Sequence, residues 1–226
     1  MNNSKEILID LKDVTVAYGK DVVLDKINLQ IESHSFLPIV GPNGAGKTTL
    51  IKTILGLKKP LEGKITTPFK INPPGFVPQL KKIDLLYPVS VYEIVKMGFY
   101  PELGSWRSLT DAMKAKIEEV LKWLSLDKVK GKNFSELSGG MRQKVLIARA
   151  LVRDPEVVIM DEPNTGLDEK SEKDLIDYLY RLWWGREKTV IFILHDTYLL
   201  RGYDFPHYIS LNRGKITFKK GEELKL

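Results

Sequence analysis

At 226 residues and 25.8 kDa the chain is long enough for one large domain, or for a core with an inserted subdomain, and can bury a sizeable interior. It has no cysteine, which excludes disulfides and thiolate chemistry, and no apolar run near the roughly 18 uncharged residues of a membrane-spanning helix. The net charge of +6 arises from 35 basic residues spread among 29 acidic ones, which reads as a solvated mixed surface more than as a nucleic-acid face. Residues 1–15 lack the basic-then-apolar layout of a signal peptide, so a cytosolic protein is expected and any membrane role requires a partner.

Along the chain, Ile7, Ile9 and Leu11, then Val14 and Val16, alternate and predict one or two strands closing at Tyr18 and Gly19. Alternation returns at Ile27, Leu29 and Ile31, so the N-terminal third is mostly β. The apolar run Phe36 to Val40 then enters Gly41-Pro42-Asn43-Gly44-Ala45-Gly46-Lys47-Thr48-Thr49. This spacing fits a phosphate-binding P-loop of the Walker A pattern. Its glycines let backbone N–H groups turn toward phosphates, Lys47 reaches the outer phosphates, and Thr48 offers a hydroxyl to Mg²⁺. The helix expected from about Lys47 to Leu57 points its positive end at the same anions. A tight strand-to-helix turn would account for two of the glycines but not for the whole pattern.

Leu61 to Ile65 predicts a turn and a short strand, and Gly75 to Gln79 follows. From about Lys81 to Glu136 helical signals dominate, most clearly where Thr110-Asp111 precedes Met113, Ile117, Val120, Leu121 and Leu124 at helical spacing. Residues 81–136 are read as a helical subdomain inserted between two parts, 1–80 and 137–226, of an α/β nucleotide-binding core. Leu137-Ser138-Gly139-Gly140-Met141-Arg142-Gln143 opens a helix to about Val152, broken by Asp154-Pro155. Val157 to Met160 is too short for a buried helix and suits a fully buried strand, ending in Asp161-Glu162. A helix from Glu169 to Trp183, a second buried strand from Thr189 to Leu194 ending at His195, and a hairpin across Asn212-Arg213-Gly214 complete the pattern. Ligands of open α/β sheets sit beyond the carboxyl ends of the strands, so Lys47, Asp161, Glu162 and His195 are expected to converge on one phosphate site.

Gly41 to Thr49, Gln79, Leu137 to Gln143, Val157 to Glu162, Leu167-Asp168 and His195 stand in the order and spacing of the ATP-binding cassette (ABC) ATPases, which the chain resembles over essentially its whole length. The resemblance implies an α/β P-loop NTPase core of ABC-ATPase type, with an N-terminal antiparallel β subdomain and an inserted α-helical subdomain. It implies hydrolysis of ATP with Mg²⁺. Tyr18 matches the aromatic that stacks on adenine. Asp161 matches the carboxylate that, with Thr48, holds Mg²⁺, and Glu162 the catalytic glutamate that orients or deprotonates the attacking water. Gln79 resembles the glutamine that touches metal or water and couples the site to the helical subdomain; His195 resembles the histidine that donates to the γ-phosphate. Leu137, Ser138, Gly139, Gly140 and Met141 match the signature that, by this resemblance, binds the γ-phosphate of ATP held by a second subunit. Two chains then sandwich two ATP molecules, and a lone chain hydrolyses poorly. Asp168 belongs to the D-loop. Met141 stands where glutamine is commonest, and Asn164-Thr165-Gly166-Leu167-Asp168 departs from the commoner Ser-Ala-Leu-Asp.

By the same resemblance the chain is the ATPase subunit of a transporter, a homodimer docked through residues 81–136 to an integral membrane permease at the cytoplasmic face of the cell membrane. Tyr87 to Gly98 resembles the corresponding segment of ATPases for metal-cation and chelated-iron uptake, which points to uptake and leaves room for an extracytoplasmic substrate-binding protein. No nucleic acid is expected. Two readings stay open beside this one: an exporter ATPase for lipids, drugs or peptides, and a soluble ABC ATPase acting on nucleic acid or ribosomes. Against the latter stands a single cassette without a long coiled-coil insertion. Trp183-Trp184 has no sequence-level account beyond packing.

Overall fold

The N-terminal alternation folds as one long strand, β1 (Ile7–Tyr18), antiparallel to β2 (Asp21–Glu32). The structure, a computed structural model, describes residues 6–79, 88–100, 108–195 and 197–224. The expected start of the insertion at residue 81 and the Tyr87 end of the uptake-like segment lie outside the described residues. β2 begins earlier than the alternation at Ile27 predicts, because the turn at Gly19 lets pairing start at Tyr18 opposite Asp21. β3 (Phe36–Val40) leads through the glycine-rich loop into α1 (Lys47–Ile54). This helix stops short of the expected Leu57. Gly56 turns left-handed at φ 72°, its N–H donates to Thr53 O, and the Leu57 N–H donates to Lys52 O, a Schellman ending. β4 (Glu62–Thr66) pairs with the other side of β1 and completes a three-stranded sheet in the order β2-β1-β4.

The second sheet adds β5 (Gly75–Val77), β6 (Val157–Met160), β7 (Thr189–Ile193), β8 (His207–Asn212) and β9 (Lys215–Lys220) to β3. Its order is β5-β6-β7-β3-β8-β9, parallel throughout except for the β8–β9 hairpin. Arg213 and Gly214, the two residues of that hairpin's turn, both have positive φ, the twist-matched geometry for a two-residue turn. The helices are α2 (Val91–Lys96), α3 (Asp111–Trp123), α4 (Gly139–Leu151) and α5 (Glu169–Arg186). Thr110 caps α3 by accepting from the Met113 N–H at 3.3 Å, and Ile117, Val120 and Leu121 form its buried stripe, as the spacing predicts. α5 runs past the expected Trp183 and ends where Glu187 turns left-handed at φ 52°.

Successive residues of the central strands are shared between two hydrophobic cores. Phe36, Val40, Val158, Met160, Val190 and Phe192 belong to the core built with α2 to α5; Leu37, Ile39, Val157, Ile159, Ile191 and Ile193 belong to the one built with α1, β1 and β2. Both faces are covered, which is why these strands read as unbroken apolar runs. Trp183 also finds its role here. Its indole N–H donates to His34 O at 2.7 Å and its ring lies 5.5 Å from Phe36 and 5.4 Å from Tyr180, whereas Trp184 is exposed.

Candidate active site

Parallel strands β3, β6 and β7 lie side by side, so the segments that leave their carboxyl ends emerge together. The loop after β3 is shaped by a close approach at Gly41. Its φ is 156°, and a Cβ there would lie 2.1 Å from Leu211 O, so a larger residue would force β8 and the loop apart. Pro42, Asn43 and Gly44 are exposed, while Ala45, Gly46 and Thr49 are buried beneath them. Lys47, the first residue of α1, is buried, and its ammonium donates to Gly41 O at 2.7 Å and Pro42 O at 3.0 Å. Burial pushes its pKa below 10.5, against the opposing pull of Glu162 and Asp161.

Thr48 Oγ1 donates to Asp161 Oδ1 at 3.0 Å, joining two oxygen groups that are 113 residues apart in the chain. Asp161 is buried, and its N–H donates to Val77 O, extending the β5–β6 pairing to the carboxylate's own backbone. A hydroxyl beside a carboxylate, both held on rigid elements, fits a hard cation such as Mg²⁺. At Glu162 the chain turns left-handed with φ 51°. Its carboxylate accepts from Gln79 Nε2 at 2.5 Å and from Thr165 Oγ1 at 3.3 Å, and its other oxygen lies 2.8 Å from His195 Nε2. Gln79 follows β5, Glu162 follows β6 and His195 follows β7, so the ends of three strands meet at one carboxylate.

Tyr18, at the end of β1, is half exposed, with Lys58 Nζ 4.2 Å from its ring centroid. Among the signature residues, Leu137 is buried in the helix-side core and supports the turn; Ser138 is exposed and caps α4, accepting from the Met141 N–H at 3.4 Å. A Cβ at Gly139 would lie 3.1 Å from Gly166 O, and one at Gly140 would lie 3.2 Å from Ser171 Oγ. The signature glycines thus sit against the D-loop and the first turn of α5. Met141 packs on the helix-side core. Asp168 caps α5 by accepting from the Ser171 N–H at 2.8 Å, which holds its carboxyl below the ordinary 3.8. Thr165 was missed by sequence reasoning, since a threonine in a turn carries no signal of its own.

The family model described as ABC transporter matches residues 24–165. A high-affinity zinc uptake system ATP-binding protein (ZnuC) of Bacillus subtilis is 35% identical over 215 residues, covering 92% of each chain. The chain belongs to the ABC transporter family. A manganese transport system ATP-binding protein (MntB) of Listeria monocytogenes is 34% identical, covering 91% of this chain and 87% of the relative. Among solved structures, a metal-chelate type ABC transporter in an inward-facing conformation superposes with a TM-score of 0.86 at 26% identity, covering 96% of this chain and 84% of the other. A dimeric bacterial ABC transporter cassette superposes with a TM-score of 0.81 at 27% identity, covering 94% and 98%. As an ABC ATPase the chain hydrolyses ATP to ADP and phosphate on behalf of a transporter. No helix among the described residues is long and apolar enough to cross a membrane.

Proposed function

We propose that this ABC ATPase powers uptake of a divalent metal cation, of the zinc or manganese class, through a separate membrane permease. The observation that carries its chemistry is the convergence of Gln79, His195 and Thr165 on the Glu162 carboxylate, beside the Thr48–Asp161 pair. The cargo class is supported by the zinc and manganese systems to which the relatives belong. In this reading the P-loop amides and Lys47 hold the ATP phosphates, and Tyr18 stacks on the base. Thr48 and Asp161, with Gln79 at the metal's edge, would hold Mg²⁺, which offsets the charge gathering on the phosphates. Glu162 orients the attacking water and accepts its proton, while His195, beside that carboxylate, donates to the γ-phosphate once ATP is bound.

The same proposal makes the working unit a head-to-tail homodimer in which Ser138 to Met141 of one copy cover the nucleotide of the other. Residues 1–80 and 137–226 form the nucleotide-binding core, and 81–136 form the insertion that meets the permease at the cytoplasmic face of the membrane. An extracytoplasmic binding protein would deliver the cation to that permease. The test is purification of tagged Glu162→Gln protein from detergent-solubilised native membranes, followed by reconstitution of the corresponding native complex in vesicles. The variant should bind ATP without turning it over and retain a multi-spanning protein in near-stoichiometric amount; the native complex should accumulate zinc or manganese when ATP is supplied. Recovery of only soluble proteins, ribosomes or nucleic acid would overturn the transport reading, and ATP-driven vesicles that move neither metal would overturn the cargo.

A further inference from the structure

Glu172, in the first turns of α5, accepts hydrogen bonds on both carboxylate oxygens from two different loops. Asn164 Nδ2 donates to Oε1 at 2.8 Å and Tyr198 OH donates to Oε2 at 3.2 Å. Asn164 lies two residues beyond Glu162 and Tyr198 three residues beyond His195. Those two loops carry the carboxylate and imidazole that meet at 2.8 Å. Both are also anchored: Asn164 is 5% exposed, and the turn Thr197–Leu200 buries Leu199 and Leu200 in the helix-side core. A carboxylate accepting from a buried amide makes a charge-assisted bond, stronger and more directional than a neutral one. The backbone at Glu162 needs such support, since a left-handed glutamate persists only where its surroundings over-determine it.

We infer that Glu172 is a positioning residue for ATP hydrolysis. It fastens the loop after β6 to the loop after β7 and thereby sets the separation of Glu162 from His195. The inference rests on the reading of those two residues as the catalytic pair. A glutamate near a helix start also interacts favourably with the helix dipole, but that role would change stability and leave turnover per folded protein untouched.

The experiment measures steady-state ATP hydrolysis by the full-length protein, with ATP affinity and melting temperature, for Glu172→Ala, Glu172→Gln, Tyr198→Phe, the Glu172→Ala/Tyr198→Phe pair and Glu162→Gln. Displacing a reacting group by an ångström costs up to about 100-fold, so Glu172→Ala should lower kcat by about 10-fold or more with KM for ATP unchanged, while melting temperature falls modestly because the Asn164 amide loses its acceptor. Glu172→Gln, which keeps one carbonyl acceptor, should recover part of the loss. Tyr198→Phe should lower kcat in the same direction, and the pair should be no worse than Glu172→Ala alone, because both remove the same tie. Native kcat in Glu172→Ala or Tyr198→Phe would overturn the inference, as would additive losses in the pair or a loss confined to melting temperature. Should Glu172→Ala fail to fold, Tyr198→Phe decides. If Glu162→Gln turns over normally, the catalytic reading itself fails; if it is dead while Glu172→Ala is fully active, this inference alone is overturned.

Discussion

At Glu162 the backbone sits at φ 51°, a conformation that costs a non-glycine residue about 1–3 kcal/mol and persists where neighbours hold it. Here the holders are Gln79, Thr165 and His195 on the side chain, with the Thr165 N–H donating to Glu162 O at 3.2 Å. Position 162 was legible as a carboxylate after an apolar strand, but its backbone was not, because the left-handed turn is imposed by partners 83, 33 and 3 residues away. Asp168 shows the opposite case, a cap whose role is local and titratable. Its folded-state pKa is depressed by the Ser171 N–H, so its contribution is present above the unfolded value of about 3.8 and is lost as pH falls through the lower folded value. Asp168→Asn retains an uncharged cap. The stability difference between the two proteins, followed by urea denaturation from pH 7 down to pH 3, should favour the native protein at neutral pH and shrink below pH 4.

Among the elements, the strands that deliver the site are held by packing on both faces, and their stiffness depends on those contacts. Phe36 is 1% exposed and meets Phe192 at 4.9 Å, Trp183 at 5.5 Å, Phe205 at 5.7 Å and Tyr180 at 5.8 Å between ring centroids. It begins the strand that ends in the P-loop. Truncating such a buried ring removes its transfer energy and leaves a cavity, so Phe36→Ala should cost about 3–5 kcal/mol in urea denaturation. Nucleotide affinity per folded molecule should change far less, since Lys47 and Thr48 lie beyond the far end of β3. The apolar runs of β3, β6 and β7 were legible because burial on both faces leaves no polar positions to blur them. The end of α1 was not: the expected helix ran to Leu57, and only the returning hydrogen bonds from Gly56 and Leu57 show that it has already stopped.

Across the whole molecule, the groups proposed for hydrolysis divide into two sets. Lys47, Thr48, Asp161, Glu162, Gln79 and His195 converge, whereas Gly139 and Gly140 lie against Gly166 and Ser171 beside the D-loop, with exposed Ser138 just before them. The proposed dimer unites the sets across two copies. Ser138→Arg places a bulky cation where a second copy's phosphate would approach, so ATP binding by a single chain should be intact while dimer closure and cooperative turnover are lost; sizing chromatography with ATP and the dependence of rate on protein concentration check this. The order and spacing of the motifs were decided by the sequence alone, because the P-loop, the signature and the buried strands are local patterns of glycine, charge and apolar runs. The same local rules placed α3 and its Thr110 cap. Only the tertiary structure decided which side chains touch: that Thr48 pairs with Asp161, that Trp183 reaches back to His34, and that Glu172 joins Asn164 to Tyr198. Those contacts depend on strand order, and the sheet places β3 between β7 and β8, far from their places in the chain. Sequence spacing carries no distance across such a crossover, so the contacts exist only once the strands are side by side.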